Sequence, residues 1–488
     1  MKQIADWALG TAAARGAGYC DIRVVDDRQR AIATKNGVIG QATDAESLGA
    51  GIRVIASGAW GFAATDDLRR ESVEAAAARA VEIARASARV KHRELALAPE
   101  PPARADWHTP CVIDPFGTPV EQNLDVLLHI DRELRSVAGI TLAETSMHFR
   151  RYEQWFWSSG GADIHQVKTI TGAGYAAYSF RDSEISKRSY PNSFGGQYQN
   201  RGYELVAELK LVENARRVAE EAVALHNAPQ CPECVGTVIL DSSQLGLQIH
   251  ESIGHPIELD RVLGMEANFA GTSFLTLDKL RTLRYGSEIV NVVADATEQH
   301  GPGLGTFAYD DEGVPAQCTP IITNGLFTGY LSSRETAAEI GEPRSSGTMR
   351  AEGWNRIPLI RMTNVSILPG EDPLSLEDLI SSTDDGIFMQ TNRSWSIDDK
   401  RYNFQFGCEI GWEIRNGRIG RMLKNPSYSG ITTEFWNSMD AICSRKEWNL
   451  WGTPNCGKGQ PQQVMGTGHG AAPARFRNVK IGSAYRGT

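Results

Sequence analysis

The segment HESIGHPIELD, residues 250–260, holds the densest group of residues able to do chemistry. It places His250, Glu251 and His255 in the pattern H-E-x-x-x-H. Zinc peptidases bind the metal with two imidazoles and use a neighbouring carboxylate to accept a proton from water, and H-E-x-x-H supplies both from one helix. The segment therefore suggests a hydrolytic metal site, although paired histidines near a helix end are also common surface or core residues.

The two histidines are one residue further apart than in H-E-x-x-H. In a regular α-helix, residues i and i+5 lie about 140° apart around the axis, too far for both imidazoles to reach one ion. Gly254 relaxes the backbone, and Pro256 disfavours helical geometry at His255. We therefore expect the helix to widen or end here, so that His255 turns back toward His250.

A C2H2 zinc finger is an alternative interpretation that would use the same two histidines. Cys231 and Cys234, followed by His250 and His255, fit the spacing of a C2H2 zinc finger. The intervening VGTVILDSSQLGLQI contains no Lys or Arg to meet phosphates, and its apolar strand is typical of a larger sheet. A redox pair is a third interpretation, but the two cysteines do not open a helix after a strand. Structural thiols are the interpretation we prefer.

Other chemical signals are weaker. His469 stands in the Gly-rich segment MGTGHGAAP, which predicts an exposed loop that can face a substrate. The segment GPGLGTF, residues 301–307, lacks the lysine and the following helix of a phosphate loop. The sequence also has no G-x-S-x-G, the pattern of a serine hydrolase.

Composition limits the class of protein. The 488 residues allow two or three domains, and we favour two. A formal charge of -9 argues against nucleic acid or anionic membrane as partners. Eight cysteines are too few for a disulfide framework, and Asp6 interrupts the apolar stripe at the N-terminus, unlike a signal peptide. These features predict a cytoplasmic protein without membrane spans.

The elements before the motif predict an N-terminal α+β domain over residues 1–228. A helix over 2–16 is followed by period-2 segments with turns at Asn36-Gly37 and Ser57-Gly58, which we interpret as a four-stranded meander, and then by an Ala-rich helix to about Arg89. After a Pro-rich stretch the order recurs, with a helix from Pro119, strands over 140–180 and a helix over 203–225. This order indicates a structural duplication of helix, antiparallel meander and helix.

The remaining residues, 229–488, predict a domain of mostly antiparallel strands that carries the metal site. The segment HNAPQCPEC, residues 226–234, ends a helix and contains two prolines before the strand VGTVIL. A helix near 243–255 follows, and strand patterns dominate the rest, including hairpins at Asn324-Gly325 and Asn416-Gly417.

Several segments together resemble the TldD/PmbA family, the modulator-of-DNA-gyrase zinc metallopeptidases, and in particular its TldD-like, metal-binding branch. They are HESIGHPIELD, residues 333–370, the strand pair over 402–420, and the tail GTPNCGKGQPQQV over 452–464. The resemblance covers most of the C-terminal half, and the N-terminal half fits the family architecture.

The resemblance implies a site and a mechanism. His250, His255 and Cys456 would bind Zn²⁺, Glu251 would be the general base, and Glu258 and Asp260 would accept hydrogen bonds from the imidazoles. The spacing after Cys456 is one residue shorter than in the family tail. Taken alone, Cys456 lies in a turn-rich segment and Cys408 in a strand, and both are candidates.

Two classes of function follow from the resemblance. One is a zinc metallopeptidase that hydrolyses small or unfolded peptides, with three protein ligands leaving a position for water. The other is a non-catalytic partner subunit or interaction protein of a peptidase heterodimer. The residues of the metal motif favour the first class. The resemblance also implies a dimer, either with itself or with a related family subunit, and an enclosed active site.

Overall fold

The computed structural model describes residues 1–91, 93–269 and 271–482. Helices and many antiparallel strands alternate along the chain, which confirms the α+β class. Within these residues, no helix combines the length and the apolar composition needed to cross a bilayer.

The N-terminal residues form a first unit of helix, strands and helix. It contains α1 (Lys2–Ala14), β1 (Tyr19–Lys35), β2 (Val38–Ala56), β3 (Ala59–Thr65) and α2 (Arg70–Ser87). Its two turns have positive φ at both central residues, Asn36-Gly37 and Ser57-Gly58, the geometry that closes two-residue hairpins. The prediction of four strands is wrong. There are three, because β1 is 17 residues long and joins two of the predicted segments, those over 20–25 and 30–35, and β2 follows directly after the turn at Asn36-Gly37.

The same order occurs a second time, after the short strand β4 (Arg104–His108). The elements are α3 (Val120–Arg135), β5 (Leu142–Ser158), β6 (Asp163–Arg181), β7 (Glu184–Tyr190), β8 (Gln197–Gln199), α4 (Glu204–Glu208) and α5 (Leu211–Ala224). Both units belong to one sheet of order β3-β2-β1-β5-β6-β4, in which β7 and β8 also pair with β6. Strands β1 and β5 join the units, from Asp21 opposite Ser158 to Lys35 opposite Glu144.

The later residues form shorter helices and many strands. The helices are α6 (Ser242–Ile249), α7 (Leu259–Val262), α8 (Leu376–Ser381) and α9 (Thr432–Asn437). The strands are β9 (Cys234–Leu240), β10 (Val292–Asp295), β11 (Cys318–Thr323), β12 (Leu326–Phe327), β13 (Met349–Arg350), β14 (Leu359–Ile360), β15 (Asn364–Ile367), β16 (Asp385–Ile397), β17 (Asn403–Arg415), β18 (Arg418–Leu423), β19 (Ser427–Ile431), β20 (Met439–Ile442), β21 (Asn449–Lys458), β22 (Gln463–Ala471) and β23 (Ala474–Ile481).

Two sheets hold most of these strands, and β13 and β14 form a separate pair. One has the order β12-β11-β10-β15-β22-β21, and the other has the order β16-β9-β23-β19-β17-β18, with β20 on β23. Pairing is antiparallel except between β15 and β22 and between β9 and β16. Helix α6 packs against β15, β21 and β22 of the first sheet and β16 of the second, and all of its residues are buried. The motif that follows α6 therefore begins inside a shared core.

Buried ion pairs connect residues before and after position 228. Arg53 on β2 donates to Asp21 at 2.7 Å and to Glu312 at 3.0 Å, and all three side chains are at most 4% exposed. Arg188 on β7 similarly donates to Glu409 on β17 at 3.0 Å. The division into domains 1–228 and 229–488 stays a prediction.

Candidate metal centre

Helix α6 widens where the sequence changes its spacing. Asp241 caps the helix by accepting a hydrogen bond from the Gln244 N–H at 3.0 Å. Residues His250–Gly254 then form one π-helical turn, in which the His255 N–H donates to the His250 carbonyl five residues earlier at 3.1 Å. The extra residue in this turn brings the two rings to the same side, with centroids 4.8 Å apart.

Gly254 lets this turn pack closely. A Cβ at this position would lie 2.1 Å from the Sδ atom of Met362, whose side chain is fully buried. The glycine therefore leaves room for the neighbouring core side chain.

We expect Gly254→Ala to destabilise the protein by about 1–3 kcal/mol, because the new methyl group overpacks a closed core. Gly10 is the control, since it lies on the exposed face of α1 and a Cβ there meets nothing within 4 Å. Gly10→Ala should stabilise the protein by about 0.5–1 kcal/mol. Denaturant unfolding measures both variants, and an equal response at the two positions would contradict this account of Gly254.

Strand β21 brings Cys456 to the histidines from a distant part of the sequence. Its Sγ atom lies 3.6 Å from His255 Nε2, and one donor atom each of His250, His255 and Cys456 lie within 4.8 Å of one another. All three residues are 4% exposed. Cys456 lies in strand β21, opposite Met465, and not in the turn-rich loop that its neighbours predict. The strand accommodates these residues through a register shift between Thr453 and Cys456.

A chain of hydrogen bonds assigns the tautomer of His250. His469 Nδ1 lies 3.0 Å from the carbonyl of Val365, so this nitrogen carries the proton and donates. The His469 Nε2 atom then accepts from His250 Nδ1–H at 2.7 Å. His250 Nε2 therefore keeps a lone pair, as a metal ligand requires.

Glu258 orients the second imidazole in the same way. Its carboxylate accepts from His255 Nδ1–H at 3.0 Å, and the Nε2 atom of the same ring faces Cys456. Carboxylate or carbonyl acceptors behind metal-bound imidazoles fix the tautomer and the ring orientation. This contact is the one that the sequence predicted for Glu258.

The electrostatic surroundings favour the protonation states of metal ligands. Burial lowers the pKa of His250 to about 4, and burial also brings the pKa values of His255 and His469 well below their ordinary range. All three imidazoles are therefore neutral at pH 7. Burial alone would raise the pKa of the Cys456 thiol, but the nearby Arg361 guanidinium and His255 outweigh burial and lower it.

These donors fit a zinc ion. Two neutral imidazoles and a thiol with a lowered pKa are nitrogen and sulfur ligands, the types that zinc prefers, and three protein ligands are typical of catalytic rather than structural zinc sites. The two orienting acceptors behind the rings complete the pattern.

Comparison with known proteins identifies the family of the chain. Residues 233–483 match the family model of the PmbA/TldA metallopeptidase C-terminal domain, and residues 20–84 match that of PmbA/TldA metallopeptidase domain 1. The first match alone covers more than half of the chain. The chain belongs to the TldD/PmbA metallopeptidase family.

Individual relatives extend this result over most of the chain. A metalloprotease of Methanocaldococcus jannaschii is 28% identical over 456 residues, 93% of this chain and 95% of the relative. A protein named zinc metalloprotease TldD homolog, from Saccharolobus solfataricus, is 30% identical over 246 residues, 50% of this chain and 51% of that protein.

Solved structures share the fold. A putative modulator of a DNA gyrase from Thermotoga maritima has a TM-score of 0.77 at 19% identity, over 99% of this chain and 100% of that one. TldE from Thermococcus kodakarensis has a TM-score of 0.72 at 16% identity, over 98% of this chain and 100% of its own.

One residue of the site lies elsewhere than the sequence predicts, and a second residue has no signal in the sequence. His469, predicted to lie in an exposed loop, is a buried residue of β22 that contacts His250. Arg401 donates from Nη1 to the Glu251 carboxylate, and its charge reaches both metal-motif imidazoles. The resemblance to the family did not extend to these residues, and neither stands in a pattern that predicts its partner.

Asp260 differs from the expectation. Its carboxylate accepts from Lys458 Nζ at 2.7 Å instead of from an imidazole. Lys458 is two residues after Cys456 and also donates to the carbonyl of Ile360 at 2.7 Å. Asp260 thus holds the cysteine strand rather than a histidine ring.

The described residues do not assemble the alternative site of Cys231 and Cys234. Three groups of His, Cys and acidic side chains come close enough to hold an ion within the parts of the chain that the structure describes, and neither cysteine belongs to any of them. Cys231 is buried, and Cys234 is exposed. Cys408 lies in β17 outside these groups as well, and burial raises the pKa of its thiol well above the ordinary range.

Proposed function

We propose that the protein is a zinc-dependent peptidase that hydrolyses small or unfolded peptides. His250, His255 and Cys456 hold the ion in this proposal. The observation that carries it is the convergence of these three buried donors, with the tautomer of each imidazole set by a second hydrogen bond.

The bound ion supplies a Lewis acid that polarises a peptide carbonyl and makes water more acidic. Glu251 follows His250 directly and projects from the same wide turn. We assign to its carboxylate the proton of the attacking water, which it then passes to the leaving amine. The Arg401 guanidinium holds this carboxylate in place through an ion pair.

Residues 453–455 of strand β21 offer a short edge for an extended peptide, since the Leu450 carbonyl and the Gly452 N–H beside them already bond to the Gln197 side chain. Strand β21 is the last strand of its sheet, and residue Pro454 of this strand lines a cavity of about 620 Å³ between β1, β2, β5 and residues 352–356. A peptide that adds to a strand edge is held by its main chain, so its side chains are little constrained. This arrangement supports a preference for unfolded peptides over particular sequences.

The second candidate is a non-catalytic partner subunit, and the structural likeness to TldE keeps it open. The complete set of His250, Glu251, His255 and Cys456 favours the peptidase. In either case we propose that the chain acts as a dimer, with itself or with a related family subunit.

The zinc-loaded protein should cleave an unfolded polypeptide and leave the folded form of the same polypeptide nearly intact. For a substrate with 5 kcal/mol or more of stability, the unfolded fraction is roughly 10⁻³ or less, so cleavage of the folded form should be slower by about that factor. Fragment release from a disulfide-bonded domain and from its reduced, alkylated form measures this ratio.

Metal removal is the control for this experiment. Chelation should stop cleavage of the unfolded form, and added zinc should restore it. Equal rates on both forms would contradict the strand-edge mode of binding. Binding without any cleavage, with zinc present, would instead favour the non-catalytic subunit.

A further inference from the structure

A second group of ligand-type side chains lies on the N-terminal sheet. Strand β4 is an edge strand, and Asp106 and His108 alternate along it, so both side chains are on one face. His165 of β6 stands beside Asp106 in the parallel register. These residues belong neither to the HESIGHPIELD motif nor to the tail with Cys456.

Three donor atoms of this group converge. The Oδ1 atom of Asp106 lies 3.0 Å from His108 Nε2 and 3.0 Å from His165 Nδ1. In a tetrahedral site with metal bonds of about 2.1 Å, neighbouring ligand atoms are roughly 3.4 Å apart. Each imidazole nitrogen would need to move only a few tenths of an ångström from Asp106 Oδ1 to reach this spacing, and all three ligand atoms already lie within 4.8 Å of one another.

The other side of His165 already has the partner that a metal-bound imidazole needs. Its Nε2 atom lies 3.0 Å from Oε1 of Glu153 on β5, and Trp155, which stands opposite His165, stacks on the ring at 5.0 Å between centroids. Glu153 therefore fixes the tautomer with the proton on Nε2, and Trp155 fixes the plane of the ring.

With a neutral His165 ring, no hydrogen atom is left to bond between Asp106 and His165. A neutral imidazole has one N–H, and Glu153 takes it. The lone pair of His165 Nδ1 then points at the carboxylate oxygen of Asp106. A cation at this position would turn the repulsion between these two atoms into two metal bonds.

We propose that Asp106, His108 and His165 bind a divalent transition-metal ion, with zinc as the principal candidate. Two imidazoles and one carboxylate are a common ligand set for such ions, and the exposure of Asp106 and His108 leaves room for water as a further ligand. The ion would cross-link edge strand β4 to its neighbour β6 on one face of the sheet.

One alternative explains the same contacts without a metal. A doubly protonated His165 would donate to both Asp106 and Glu153. The two explanations differ in metal binding, because a protonated ring has no free lone pair.

The number of zinc ions bound per chain of the complete protein at pH 7.5 tests the proposal. Equilibrium dialysis and then elemental analysis measure this number. His108→Ala removes one ligand from a half-exposed position, so the variant should fold normally and bind one zinc ion fewer per chain than the parent. In a titration, the affinity of that site should fall at least tenfold. Unfolding curves without metal establish that the fold is unchanged.

His129→Ala is the matched control. His129 is another half-exposed histidine beside a carboxylate, Glu133, but among the described residues it belongs to no group of three metal-type side chains. This variant should bind as much zinc as the parent. Equal zinc content in the parent and in His108→Ala would overturn the proposal and favour the protonated ring. An equal loss in both variants would indicate nonspecific binding to surface histidines and would also overturn it.

Discussion

Glu251→Gln is expected to slow peptide hydrolysis by roughly 10²–10⁴-fold while the zinc content stays that of the parent. Glutamine keeps the size of the side chain but cannot accept the proton of the attacking water. His250 and His255 keep their own orienting partners, His469 and Glu258, so the metal site should survive the change. Turnover of an unfolded peptide, together with metal analysis of the same sample, measures the two effects separately.

Glu251→Gln also breaks the ion pair between Glu251 and Arg401. A control variant therefore has to lose an ion pair elsewhere in the chain. Glu342 forms an exposed ion pair with Arg281 at 2.8 Å, away from the metal-type residues, and Glu342→Gln should leave turnover unchanged. A Glu251→Gln protein with normal zinc content and turnover within about a factor of ten of the parent would show that Glu251 is not the general base. Most of the case for a peptidase would fail with it.

Local chemistry made parts of this structure predictable. The sequence Gly254-His255-Pro256 weakens a regular helix just where H-E-x-x-x-H needs one more residue in a turn, and the structure has a π-helical turn there. The hairpins at Asn36-Gly37 and Ser57-Gly58 also follow from residues that accept positive φ. In each case a few neighbouring residues determine the geometry.

Contacts between distant residues were not predictable in this way. His469 sets the tautomer of His250 across 219 positions, and its Gly-rich surroundings predict a loop instead of a buried strand. Arg401 reaches Glu251 across 150 positions, and Asp260 pairs with Lys458 across 198. These partners depend on how α6, β21 and β22 pack, which composition and spacing do not encode. Cys456 was predicted as the third metal ligand from the resemblance to the family. Without that resemblance, Cys408 was an equally good candidate.

Cys456→Ser is expected to remove zinc from the site between α6 and β21. A serine hydroxyl stays protonated near neutral pH, whereas the pKa of the Cys456 thiol is already lowered by Arg361 and His255, which favours the thiolate that binds zinc. Loss of a direct ligand should weaken binding by more than the roughly 10–100-fold that loss of an outer hydrogen-bond partner costs. Elemental analysis after dialysis measures the loss, and the His108→Ala background keeps the proposed second site from contributing zinc.

Two controls make the result specific. Cys443 is a buried thiol outside the described metal-type groups, with a pKa raised to about 12 by burial, so Cys443→Ser should keep its zinc. The double variant Cys231→Ser/Cys234→Ser should keep it as well, because neither cysteine lies with His250 and His255. Full zinc retention by Cys456→Ser together with loss in the double variant would instead support the C2H2 arrangement. Such a result would require the histidines to turn away from β21, breaking the hydrogen bonds to His469 and Glu258 that orient them toward Cys456.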